Sequence, residues 1–315
     1  MLGNRGLGAS IGFILALGSG AALAAEPAEC RAVSFSDVGW TDITATTATA
    51  TVILKSLGYQ PDVQILSVPV TYASLDNKDI DVFLGNWMPT MEADIAPYRE
   101  KGTVETLVTN LEGAKYTLAV PQYTYDAGLK TFDDIAKFKD QLKGQIYGIE
   151  PGNDGNRLIL DMIEGGLHGL SDFDLVESSE AGMLAQVRRA VQREDHVVFL
   201  GWEPHPMNAN FDMAYLDGGD DVFGPDYGGA TVLTNVWAGY TEQCPNVGQF
   251  LKNLVFSLEM ENEIMGAILD DGQEPEAAAT AWLKENPQAL DRWLDGVTTF
   301  EGGDAAAAIK QDLGL

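Results

Sequence analysis

From residue 32 onward, short apolar runs rich in β-branched and aromatic residues alternate with longer stretches of helical period. That alternation restricts the chain to α/β layers and predicts a largely parallel sheet. Ala32–Phe35 reads as a strand, Asp42–Leu57 as a helix stopped at Gly58, and Asp62–Val68 as extended. Asp81–Leu84, Thr117–Val120, Gln145–Ile149, His196–Leu200 and Thr231–Ala238 read as further strands. Helices are predicted over Pro89–Glu100, Asn153–Glu164 and Ser179–Gln192, then from Pro245 onward with breaks near Asp271, Asn286 and Gly296.

One short pattern recurs inside this frame. Val82-Phe83-Leu84-Gly85-Asn86-Trp87-Met88-Pro89 is echoed by Val198-Phe199-Leu200-Gly201-Trp202-Glu203-Pro204. Each is an apolar strand, then glycine, then tryptophan, then a proline expected to open a helix. Ligands of α/β sheets bind beyond the carboxyl ends of strands, so each Trp stands where a ligand can be gripped. Two copies, far apart in the chain, suit two domains that each supply one wall of a cleft.

Composition narrows the chemistry. The 315 residues carry a formal net charge of −28 with 19 Lys and Arg, which excludes a basic nucleic-acid face. Residues 11–23 are apolar and small, and Ala22-Leu23-Ala24 has the A-x-A cleavage pattern, so residues 1–24 read as a secretory signal peptide. Two cysteines, Cys30 and Cys244, in an exported protein suggest one disulfide, with two separate buried thiols as the alternative. Three histidines without ligand spacing offer no metal site, and no cofactor is expected. No G-x-S-x-G, H-E-x-x-H or Walker motif is present, so no catalytic residue is assigned.

The aromatic residues are more informative. Trp40 follows Gly39 after the first strand, and Asp42 stands at the start of the next helix, as a charge partner or as a cap. With Trp87 and Trp202 this makes three strand-end tryptophans, each suited to a core or to a cleft; Tyr116 begins the strand leaving the first domain. Trp237, Trp282 and Trp293 are assigned to packing. Asn153, in the Gly-rich turn before a helix, either holds a ligand hydroxyl or caps that helix. Trp and Tyr faces beside a carboxylate suit a quaternary ammonium, which has no N–H donor; each ring contact contributes roughly 0.5–2 kcal/mol. For a ligand of about seven non-hydrogen atoms, roughly −10 kcal/mol is the ceiling, so low-micromolar binding is attainable.

GWTD at 39–42, FLGNWMP at 83–89, GAKYTLAVP at 113–121, GIEPGNDGN at 148–156, FLGWEPHPMN at 199–208 and AWLKENPQALDRWLDGV at 281–297 span most of the mature chain. Through these motifs the chain resembles the choline-binding members of the glycine-betaine/choline class of periplasmic substrate-binding proteins of bacterial ABC importers. The resemblance implies a two-lobed α/β fold of the type II periplasmic binding proteins, with a hinge and an interlobe ligand cleft. The lobes would be 25–115 plus 226–315 and 116–225. It implies an aromatic box of Trp40, Trp87, Tyr116 and Trp202, with Asp42 as carboxylate, Asn153 as loop ligand, and a Cys30–Cys244 disulfide. It also implies a periplasmic monomer that carries choline to a permease and ATPase, with glycine betaine or acetylcholine as the alternative ligand. A secreted choline-ester enzyme is the remaining alternative.

Overall fold

The computed structural model describes residues 26–315; the expected signal peptide lies outside them. Nine strands form one sheet: β1 Ala32–Asp37, β2 Gln60–Ile65, β3 Val82–Met88, β4 Val104–Pro121, β5 Gln145–Tyr147, β6 Asp174–Val176, β7 Phe199–Glu203, β8 Met213–Tyr215 and β9 Gly229–Trp237. Their order is β2-β1-β3-β9-β4-β7-β5-β6, with β8 also on β4. The β2-β1-β3 and β6-β5-β7 ends are parallel. The middle is antiparallel, because β4 and β9 run between the two ends as paired strands. The sheet is therefore mixed, correcting the expectation of a largely parallel one: two return strands through the waist force antiparallel neighbours.

β4 is the main feature the periodicity did not reveal. Only its last turn of sequence was expected as strand, yet it spans Val104–Pro121. Its register against β9 shifts at three places between Thr106 and Ala114, so apolar and polar residues do not alternate there. At Lys115 its partners change: Lys115 faces Gly229 of β9 on one side and Glu203 of β7 on the other. The Nζ of Lys115 also lies 3.2 Å from the Glu203 carboxylate.

The helix Thr41–Ser56 is buried on almost every side although six of its residues are threonine. Three of these hydroxyls return to the helix itself: Thr46 to the Asp42 carbonyl at 3.1 Å, Thr49 to Ala45 at 2.9 Å, Thr51 to Ala48 at 2.9 Å. The helices Leu258–Leu269 and Pro275–Glu285 pack on it. The two prolines of the repeated pattern open no long helix. Pro89 and Pro204 follow cis peptide bonds in turns, and the next helices begin at Glu92 and Met207.

Cys30 and Cys244 are bonded, with Cα atoms 5.5 Å apart. The bond ties the first described turn to the start of the helix Pro245–Asn253. Trp237 and Trp293 are core residues, as expected. Trp282 is only half-buried, giving its Nε1–H to Glu263 at 2.6 Å. Among the described residues no helix is long and apolar enough to cross a membrane.

Candidate functional site

Six residues from five distant segments converge on one small cavity, lined by Trp40, Asp42, Trp87, Tyr116, Asn153 and Trp202, with Ile149 and Asp154. Trp40 and Tyr116, the most exposed of the six, are each only 5% exposed.

Each wall has a local cause. Gly39 takes φ +81°, a conformation that disfavours side chains, and its N–H binds the Asp37 carboxylate at 2.7 Å. That turn delivers Trp40 to the cap of the helix Thr41–Ser56. Asp42 is therefore inside the helix and is not its cap. Its Oδ2 accepts the Trp87 indole N–H at 3.0 Å, while its Oδ1 has no hydrogen-bond partner. Tyr116 on β4 and Trp202 on β7 are direct cross-strand partners, with ring centroids 6.3 Å apart at 83°. Tyr116 and Trp87 lie 6.0 Å apart at 58°.

Asn153 fills both roles left open by the sequence: it lines the cavity, and it caps the helix Asp154–Gly165 by accepting the Asn156 N–H at 3.0 Å. The same Oδ1 accepts the Tyr116 hydroxyl at 2.9 Å. Tyr116 reaches it because residue 155 is glycine; a Cβ there would stand 2.1 Å from the tyrosine oxygen.

Electrostatically the cavity is apolar and holds its carboxyls toward the protonated form. Burial first, and then the charge of Glu180, push the Asp42 carboxyl up to about 8, against the lowering effect of the Trp87 N–H. Burial likewise pushes Asp154 up to about 7, and its Oδ2 is also without a partner. Glu150 accepts the Trp40 indole N–H at 2.7 Å and is raised, chiefly by burial. Arg157, the arginine just after GIEPGNDGN, is not among the residues lining the cavity. Its guanidinium makes two bonds to Asp94 at 2.9 and 2.8 Å and one to the Thr90 carbonyl at 3.0 Å.

Asp154, Glu150 and Ile149 were not singled out from sequence. Asp154 had one signal, its place inside GIEPGNDGN; Glu150 and Ile149 had none beyond that motif. Among the described residues no group of three or more His, Cys, Asp or Glu is arranged to hold a metal ion.

The family described as the substrate-binding domain of ABC-type glycine betaine transport systems (OpuAC) matches residues 31–285. A solved ABC-transporter choline-binding protein in complex with choline is 69% identical, over 91% of this chain and all of that one, with a TM-score of 0.90. The same description in an unliganded semi-closed conformation gives 69% identity, the same coverage and a TM-score of 0.85. The glycine betaine/carnitine transport binding protein of Listeria monocytogenes is 30% identical over 176 residues, 56% of this chain and 57% of that protein.

Proposed function

We propose, from the premise that the chain belongs to the family of substrate-binding domains of ABC-type glycine betaine transport systems, that it captures choline and hands it to an importer. One observation carries this reading: three Trp and one Tyr enclose a small cavity beside the buried, unpartnered Oδ1 of Asp42. A trimethylammonium group offers methyl surface and positive charge but no N–H. Ring faces satisfy both, and a carboxylate offsets the cost of burying the charge. The hydroxyl end would sit toward Asn153, whose Nδ2 has a hydrogen to spare after bonding Asp154, and toward the free oxygen of Asp154.

Glycine betaine fits this lining less well. Its carboxylate would meet Asp42 and Asp154 with no basic residue among those lining the cavity. The higher TM-score against the choline complex than against the semi-closed relative supports reading the described conformation as the closed one. We assign one lobe to 25–115 plus 226–315 and the other to 116–225. The change of strand partners at Lys115 and Gly229 supports a hinge there. Binding without turnover is the expected outcome, since the lining has no serine or cysteine nucleophile beside a histidine base. The permease, the ATPase, a periplasmic location and a monomeric state follow in the same reading. Calorimetric titration with choline, acetylcholine and glycine betaine tests it. Low-micromolar choline binding, with betaine weaker, is expected; betaine binding tighter than choline contradicts it.

A further inference from the structure

We propose that Glu180 is the latch of the closed cleft, a positioning residue that ties the Trp40–Asp42 wall to the Trp202 wall. The inference rests on the choline-binding reading above. Glu180 opens the helix Glu180–Arg193 and is 4% exposed. Its Oε2 accepts the Thr41 backbone N–H at 2.8 Å. Its Oε1 accepts the Thr41 hydroxyl at 2.6 Å and lies 3.0 Å from Nε2 of His205.

The tautomer of His205 follows from its other nitrogen. Nδ1 accepts the Met207 N–H at 2.8 Å, so the proton sits on Nε2 and is donated to Glu180. The His205 ring in turn stands edge-on to Trp202, with centroids 4.8 Å apart at 76°. Thr41 lies between two lining residues, Trp40 and Asp42, and Glu180 is 139 positions away. One carboxylate therefore joins both walls of the cavity through bonds that form only when the walls meet. Those bonds are charge-assisted, and being buried they escape solvent screening. They act on the release of ligand more than on its capture.

Thr41→Val keeps shape and the backbone N–H but removes the hydroxyl donor. Glu180→Gln keeps shape but sets an amide hydrogen against donors. Stopped-flow and equilibrium titration with choline should show the dissociation rate and Kd rising about tenfold in each, the loss of one hydrogen bond to a charged group. The double variant should be little worse than Glu180→Gln alone, because both remove the same tie. The Tm of the ligand-free Thr41→Val protein should match wild type. Variants that bind and release choline as wild type does overturn the latch. So does an equal fall in Tm with and without choline, which would make Glu180 a fold-stabilising residue. A wild-type protein that ignores choline overturns the parent reading instead, and the two failures are told apart by that first titration.

Discussion

Trp87 lines the cavity and gives its indole N–H to Asp42 at 3.0 Å. Trp87→Ala should cost roughly 2–4 kcal/mol of choline binding, as should Trp40→Ala and Trp202→Ala. Direct titration checks this, and a loss under about 0.5 kcal/mol in all three would remove the cage. Gly155→Ala should also weaken choline strongly, because its Cβ would displace the Tyr116 hydroxyl from 2.1 Å away. If Gly155→Ala binds normally, Tyr116 is not held where its ring matters. At this scale the sequence named six residues that the fold brings to one cavity. Trp40, Trp87 and Trp202, each one or two residues after a glycine near a strand end, all line the one cavity. Asp154 and Glu180 were not legible in the same way. Glu180 matters through Thr41, 139 residues distant, and no local pattern encodes that meeting.

Among elements, those with clean periodicity were found to within a few residues: the helices Thr41–Ser56, Asp154–Gly165 and Glu180–Arg193, and strands β1 and β5. β4 was mostly missed because its bulges break the two-residue period. The mixed sheet followed from the same strand, since a return through the waist is a tertiary fact. The Cys30–Cys244 disulfide spans 214 positions, so the chain-entropy estimate is roughly 5 kcal/mol of stabilisation against the reduced unfolded chain. Urea unfolding with and without reductant should show a clear fall in midpoint on reduction. An unchanged midpoint would mean that the core alone holds the two termini of that loop together.

For the whole molecule, closure gathers buried carboxyls, and their titration has a definite sign. Asp42 at about 8 and Asp154 at about 7 hold protons that an unfolded or solvated carboxyl releases near 4. Between those values the closed form binds more protons, so its stability is greatest at acid pH and falls as pH rises. In the proposed reading a bound cation takes the place of the proton. Small-angle scattering of the ligand-free protein should therefore show contraction from pH 8 to pH 5, whereas with saturating choline it should be compact at both. A ligand-free curve unchanged by pH would sever closure from these carboxyls. The proposed preference for choline rests on the same carboxyl. Asp42→Asn keeps size and hydrogen bonding but removes the carboxyl that could ionise against a bound cation. Calorimetric titration of wild type and Asp42→Asn with choline and glycine betaine should show choline weakened by tenfold or more, about 1.4 kcal/mol, and zwitterionic betaine hurt less. Choline affinity within about a factor of two of wild type, roughly 0.4 kcal/mol, would contradict recognition of the cation by Asp42.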